Sequence, residues 1–414
     1  MTEGRRADSV RHTDVSGPSA PAAATVEAER ALRQNWVMGE RDGRHYEYTQ
    51  PSPGRYPWQW YWDSCFAAIV WRRFEPARAQ AELESLLAAQ QPDGFIGHTI
   101  FWDRPVSLIR LAFYNVASRS SFQTGTIQPP LLAWAWRIAV GDPAAEPRIG
   151  LHMDWLAANR DLEGDGLIWI LQPDESGLDA SPKFEPVWGR RSNGRLGFPL
   201  LVRRNRKLGF DARRVRAAGG PLLCETLVNT MWSLSLQAMG RPSATPALVE
   251  RLWDERRGVF VDEAQPGGGR PDVLTWTAFA PLALPDLPEE IGRRLVEEHL
   301  LNAGEFRTPV APPSVSVSEP SYEPDGGHGP IRRYWRGPTW INSAWMAWLG
   351  LRRLGYEAEA RQLADGVIGA VAREGLREYY DPRTGKGLGA IDFAWSALIA
   401  EMAAPDDGAM TSYL

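Results

Sequence analysis

The chain carries two short acidic motifs that lie far apart in sequence. They are Asp174-Glu175-Ser176-Gly177-Leu178-Asp179-Ala180-Ser181-Pro182 and Arg377-Glu378-Tyr379-Tyr380-Asp381-Pro382-Arg383-Thr384-Gly385. Taken alone, each reads as an ordinary turn, because Asp beside Gly and Pro commonly closes a solvated Asx-turn. Set among tryptophans, the two carboxyl groups acquire a second meaning, since cleaving a glycosidic bond needs a protonated acid and an ionised base. The acid protonates the departing oxygen, and burial against aromatics keeps it protonated. The base takes a proton from the attacking water, and a spacing of roughly 6.5–9.5 Å leaves room for that water and inverts the anomeric centre.

Aromatic segments flank these motifs. In Tyr56-Pro57-Trp58-Gln59-Trp60-Tyr61-Trp62-Asp63 the alternation would put three indoles on one side of an extended chain. Asp63 would then open a helix as its N-cap, and could also accept hydrogen bonds from sugar hydroxyls. Core packing is the plainer use of those indoles. In Tyr334-Trp335-Arg336-Gly337-Pro338-Thr339-Trp340, Tyr334, Trp335 and Arg336 fall in a loop and are ligand candidates. Trp345 and Trp348 sit at helical spacing and belong to the core. His98 reads as a structural loop histidine. The stretch from Arg190 to Arg216 holds nine arginines and Lys207 against Asp211. A solvated surface loop is its default reading. A lid whose arginines meet an anionic substrate is the sharper alternative. An RNA-binding arm would need interleaved aromatics, which are missing.

The 414 residues are enough for a substantial core, and 43% hydrophobic with 23% charged residues is ordinary globular composition. The 19 tryptophans are not ordinary, and a net charge of −5 supplies no basic field for nucleic acid. Cys65 and Cys224 lie in apolar segments and read as reduced, buried thiols of a cytoplasmic protein. The N-terminal arginines precede no apolar run, so no signal peptide is expected. No apolar stretch reaches the about 18 residues of a membrane span. Cys/His ligand spacing, a Walker loop and a dinucleotide fingerprint are all missing, so neither metal nor cofactor is expected. The partner expected is a small-molecule substrate; whether the chain self-associates is left open.

Residues 1–24 read as a disordered tail, and 25–414 as a single domain with a lid-like loop at about 183–217. Helical patterns recur over 25–38, 63–74, 76–90, 125–140, 144–159, 222–239, 243–256, 272–283, 287–300, 340–354, 356–373 and 391–403. Pro76, Pro143 and Pro338 mark starts, and Gly240 and Gly355 mark ends. Twelve helices make six pairs, which can close into an all-α double ring, an (α/α)6 barrel. Long connections at 91–124, 173–217 and 301–338 would gather the acids and aromatics on one loop face.

Together these motifs resemble glycoside hydrolase family 63, particularly its bacterial mannosylglycerate and glucosylglycerate hydrolases. The residues that carry the resemblance are Trp62-Asp63-Ser64-Cys65-Phe66, Glu175-Ser176-Gly177-Leu178-Asp179, Tyr334 to Trp340, Glu378-Tyr379-Tyr380-Asp381-Pro382 and Phe393-Ala394-Trp395-Ser396. The resemblance implies an (α/α)6 barrel and an inverting α-glycosidase, with Asp179 as general acid and Glu378 as general base. It further implies a sugar subsite of Tyr56, Trp60, Trp62 and Asp63, completed by Gln128, Tyr334, Trp335 and Trp340, with Glu175 and Arg336 counted among the substrate-binding residues. Two positions depart from the pattern: Asp174 stands where an aromatic is expected, and Ala180 where a polar residue such as Asn is expected. The aglycone expected is glycerate. A trehalase-like or oligosaccharide α-glucosidase is the related alternative. A non-catalytic sugar-binding toroid would not need both acids. A terpene cyclase would need an Asp-rich motif that is not present.

Overall fold

The computed structural model describes residues 19–102, 107, 111, 114–118, 121–189, 192, 197–326 and 334–404. The expected tail therefore lies largely outside the described residues, although a helix already begins at Ala20 and runs to Asn35.

Six inner segments pack each on the next and close a ring. In order they are Tyr61–Phe74, Leu132–Ala139, Thr226–Ala238, Trp276–Ala283, Ile341–Arg353 and Ala394–Leu398, and the last returns to the first. Outside them stand Pro76–Ala88, Glu146–Arg160, Thr245–Leu252, Glu289–Arg294, Glu357–Glu374 and Ala20–Asn35. The amino-acid pattern distinguishes the two rings. Ile341–Arg353 is buried from Ile341 to Leu351 without a break, as befits a helix walled in on every side. Glu357–Glu374 buries Ala360, Leu363, Ala364, Val367, Ile368 and Val371, a single stripe at helical spacing. This is the (α/α)6 architecture.

Several expected helices are altered at their ends. The pattern read as helix over 222–239 begins as a strand, Leu222–Cys224, before the helix at Thr226. Trp276–Ala283 and Ala394–Leu398 are 3-10 turns, and the former contains Pro281, which has no N–H to donate. The segment 183–217 is not one loop, because it contains helices Gly197–Lys207 and Ala212–Ala217.

Small two- and three-stranded sheets connect the helix ends. Gln59–Trp60 pairs with Thr99–Ile100, and Trp169–Ile170 with Leu222–Cys224. Near the C-terminus Arg377–Tyr380 pairs with Gly387–Ile391. Both cysteines are buried and unbridged. No helix among the described residues is long and apolar enough to cross a membrane.

Candidate active site

Asp179 is held by a tight turn. A 3-10 turn, Pro173–Ser176, ends at Gly177 with φ 74°, and Ala180 follows Asp179 with φ 63°. Gly177 sits so close to the indole of Trp62 that a Cβ would lie 2.5 Å from Cζ2, so no other residue fits without displacing Trp62. The left-handed Ala180 explains why Asn would suit that position, since Asn tolerates this conformation better than Ala.

Underneath, Glu175 anchors the turn. It is completely buried and forms a two-pronged ion pair with Arg160, with both N···O distances at 2.6 Å. The backbone N–H groups of Ile127 and Leu171 donate to its other lone pairs at 3.0 and 2.8 Å. Glu175 therefore does not reach the cavity, contrary to the expectation that it binds substrate. Its carboxylate is used up in joining three segments.

Glu378 comes from the strand Arg377–Tyr380. The register with Gly387–Ile391 slips by one residue between Arg377 and Tyr379, a bulge that re-aims the side chain between them. Glu378 is 2% exposed. Ala390 N donates to its Oε2 at 2.8 Å, the Tyr56 hydroxyl to Oε1 at 2.9 Å, and Arg55 lies 3.4 Å from Oε2. A backbone N–H, a phenol and a guanidinium are the partners of an ionised carboxylate. Burial first, then the Glu378 charge, push the Tyr56 phenol far above its ordinary range, so it remains a donor. Gly389, at φ 73°, lets the opposite strand pass this close, for a Cβ there would meet Glu378 Oε2 at 2.5 Å. Gly389→Ala is accordingly expected to displace Glu378 and cut kcat at least about tenfold, ~1.4 kcal/mol of transition-state stabilisation. Steady-state kinetics beside a melting curve will check this; an unchanged kcat in a folded variant would remove the positioning argument.

Asp179 and Glu378 line one cavity, whose empty space is about 480 Å³ with its opening to solvent included. Tyr56, Trp60, Trp62, Asp63, Gln128, Trp335 and Trp340 line it as well. Trp335 stacks on Trp340 with centroids 3.9 Å apart, and Trp395 meets both Trp340 and Trp62 edge-on. The aromatic surface is thus locked by its own packing before any sugar arrives. Thr339 exchanges two backbone hydrogen bonds with Tyr380, which ties Trp340 to the strand of Glu378. Gln128 Oε1 accepts from Trp62 N at 3.0 Å and so caps the first helical turn.

Several expected residues stand elsewhere. Asp63 is the third residue of its helix, not the cap; the helix starts at Tyr61. It still lines the cavity, and burial, with Glu378 contributing, pushes its carboxyl well above the usual range. Trp58 leaves the aromatic wall and packs against Phe101 and Tyr114, because the extended run ends at Trp60 and the chain turns into a helix. Arg336 is buried, ion-paired with Glu185, and not in the cavity wall. The side chain of Tyr334 lies outside the described residues. His98 is buried, shares a hydrogen bond with the Thr126 hydroxyl, stacks on Trp60 and is pushed down to about 3 by burial, so it is a neutral structural residue.

The arginines of the supposed lid are largely fasteners. Arg206 donates to the carbonyls of Val116 and Tyr114, each at 2.8 Å, and to that of Leu111. Arg213 donates to Ala158 O, and Arg216 pairs with Glu163. Residues 190–191 and 193–196 of that segment lie outside the described residues.

The cavity also contains residues that sequence reasoning does not single out as site residues: Pro51, Asp174, Phe393 and Trp395. Phe393 and Trp395 belong to a recognisable motif but read as helix. Asp174 stands out in sequence only as a departure from a pattern. Among the described residues no group of three His, Cys, Asp or Glu side chains is disposed to hold a metal.

Comparison with known proteins bears on the family and the fold. The family model described as the mannosylglycerate hydrolase MGH1-like glycoside hydrolase domain matches residues 56–245 and 238–396. A mannosylglycerate hydrolase of Rubrobacter radiotolerans is 28% identical, covering 92% of this chain and 97% of that protein. A glucosylglycerate hydrolase of Mycolicibacterium hassiacum is 27% identical, over 84% of this chain and 92% of that one. The crystal structure of a family 63 mannosylglycerate hydrolase from Thermus thermophilus, in complex with Tris and D-glycerate, superposes with a TM-score of 0.76. It is 26% identical and covers 92% of this chain and 99% of that one. Neutral trehalase of Saccharomyces cerevisiae, at 16% identity and TM-score 0.53, shares the fold; the match covers 93% of this chain and 81% of that one. The chain belongs to the mannosylglycerate hydrolase MGH1-like glycoside hydrolases of family 63.

Proposed function

We propose that this glycoside hydrolase is an inverting α-glycosidase acting on glucosylglycerate or mannosylglycerate, with Asp179 as general acid and Glu378 as general base. One observation carries the assignment of roles. Two carboxyl groups from separate segments line the same aromatic cavity, and they are held differently. Glu378 is buried and accepts from a phenol and an N–H, as suits a base that stays ionised. Asp179 is exposed to the cavity on a rigid turn, where a leaving oxygen can reach it.

In this scheme the sugar ring lies against the locked indoles of Trp335, Trp340 and Trp395. Asp63, a cavity-lining carboxyl that burial pushes well above its usual range, hydrogen-bonds a ring hydroxyl. Water held at Glu378 attacks the anomeric carbon as its proton passes to the Glu378 carboxylate. The bond to the aglycone oxygen breaks while that oxygen takes a proton from Asp179. The new hydroxyl stands on the face opposite the old bond, so an α-glycoside releases a β-sugar. The reading is of a cytoplasmic enzyme of small-molecule glycosides, in keeping with the unbridged buried thiols.

A proton NMR time course with glucosylglycerate and mannosylglycerate tests the scheme. An early β-anomer signal is expected from one of them. An early α-anomer would overturn inversion and the water-activating role of Glu378. No turnover of either, with activity on trehalose or a short α-glucan, would overturn the aglycone.

A further inference from the structure

Four residues after Asp179 the chain buries a charge that the two-carboxyl chemistry does not use. Lys183, in the 3-10 turn Pro182–Phe184, is 2% exposed. Its Nζ donates to Glu225 Oε1 and to Thr277 Oγ1, the latter at 2.9 Å, and lies 2.9 Å from Asp262 Oδ2. An ammonium has three N–H donors, and here three acceptors meet them. Burial alone would draw the lysine down, but Asp262 and then Glu225 outweigh it and raise the group, so it stays charged.

The two carboxylates use their other oxygens on a helix. Glu225 Oε2 accepts from Val228 N at 2.6 Å, and Asp262 Oδ1 accepts from Thr226 N and Oγ1 at 2.9 and 2.7 Å. Both therefore cap the first turn of Thr226–Ala238, the third inner segment, where the open N–H groups favour negative charge. Thr277 belongs to Trp276–Ala283, the fourth. One ammonium ties the chain just beyond Asp179 to two neighbouring inner segments of the ring.

Stability does not account for such a cluster. Taking three ions out of water is costly, and well-packed apolar side chains of similar volume often serve as well. What a buried ammonium with three matched acceptors supplies is direction. Upstream, Glu175 fastens the same stretch to Arg160, Ile127 and Leu171. Between these two anchors Asp179 rides on a short span of turns, in which Ser181 N donates to Leu178 O at 3.0 Å and Phe184 N to Ser181 O at 3.3 Å. An acid catalyst must come within hydrogen-bond reach of the leaving oxygen, and a misplacement of about 1 Å can cost about 100-fold in rate.

We propose that Lys183 is a positioning residue for the general acid: its ammonium, held by Glu225, Asp262 and Thr277, fixes the downstream end of the turn that aims Asp179 at the leaving oxygen. The proposal rests on Asp179 being the general acid. Lys183 does not line the cavity of Asp179 and Glu378, so it acts through the backbone and not on the reacting atoms. It lines a separate cavity together with Asp262, Thr275 and Thr277, which places the cluster beside space that a small ion can enter.

Lys183→Ala is compared with wild type on glucosylglycerate or mannosylglycerate, whichever the enzyme turns over, and on the matching α-glycosyl fluoride, whose leaving group needs no proton. The glycoside kcat should fall by about 10- to 100-fold, while KM and the fluoride rate stay near wild type. A lysine that only stabilised the barrel would lower both rates together, so equal losses, or an unchanged glycoside rate, overturn the proposal. n-Propylammonium replaces the deleted atoms and should restore part of the glycoside rate. No return, or an equal return with n-propanol, overturns the proposal as well. Should Lys183→Ala not fold, the double variant with Asp262→Asn removes one stranded carboxylate, and the same comparison with the same outcomes applies. Asp179→Asn separates this proposal from the reading beneath it. Its full activity on the glycoside would reject the acid assignment and the role of Lys183 together. An Asp179→Asn that loses the glycoside and keeps the fluoride, beside a Lys183→Ala that favours neither, rejects the role of Lys183 alone.

Discussion

Asp179→Asn is expected to lower kcat on a glycerate glycoside by about 10²–10⁴-fold, the usual contribution of one positioned acid or base. It should leave turnover of the matching α-glycosyl fluoride nearly intact. The asymmetry follows from the chemistry: fluoride departs without a proton, so only the step that Asp179 serves is bypassed. A melting curve recorded beside the kinetics separates a lost proton donor from a misfolded turn. Glu378→Gln is expected to lose a similar factor on both substrates, because water must be activated whatever the leaving group. Gln preserves the shape, and its carbonyl can still accept from Ala390 N while its amide turns to the Tyr56 oxygen. A near-normal rate in folded Glu378→Gln, or equal losses of Asp179→Asn on both substrates, would sink the assignment of roles.

Both carboxyls can be singled out in the sequence, and the ring of helix pairs that presents them is legible there too. Helical periodicity and the Pro and Gly signals at helix ends are local, and they locate most of the inner and outer helices to within a few residues. Cavity membership is legible where a residue's neighbours in sequence are also its neighbours in space, as at Tyr56, Trp60, Trp62 and Asp63. It fails where a long-range partner decides. Glu175 and Arg336 look like ligand residues beside other candidates, but Arg160 and Glu185 claim them. Trp58 fits the period-two wall until the chain changes period at Tyr61. The Arg190–Arg216 charge run reads as a solvated face, yet Arg206 and Arg213 spend their donors on backbone carbonyls remote in sequence. Asp174 could be found as a third carboxyl next to the acid. What sequence does not display is the amide chain of Asn115, Gln172 and Asn205 that holds it.

Arg160→Met is expected to destabilise the protein by about 3–5 kcal/mol, the cost of leaving one member of a buried ion pair without its partner. Both groups are almost wholly buried, so water does not screen the loss. The consequence extends to the site. Glu175 joins Ile127 in the loop that carries Gln128, Leu171 beside the strand Trp169–Ile170, and Arg160 at the end of its outer-ring helix. The Asp174–Asp179 turn is built directly on it. If the pair is the anchor, kcat should fall with stability, whereas KM for the sugar should change less, since Glu175 does not line the cavity. A double variant, Arg160→Met with Glu175→Gln, removes the stranded charge and should recover part of the stability. It should not recover all, because one amide oxygen cannot accept from both Ile127 N and Leu171 N as the carboxylate does. Denaturant midpoints of the two single variants and the double variant decide this. A loss below about 1 kcal/mol for Arg160→Met would place the pair with ordinary surface bridges and detach the turn's geometry from it.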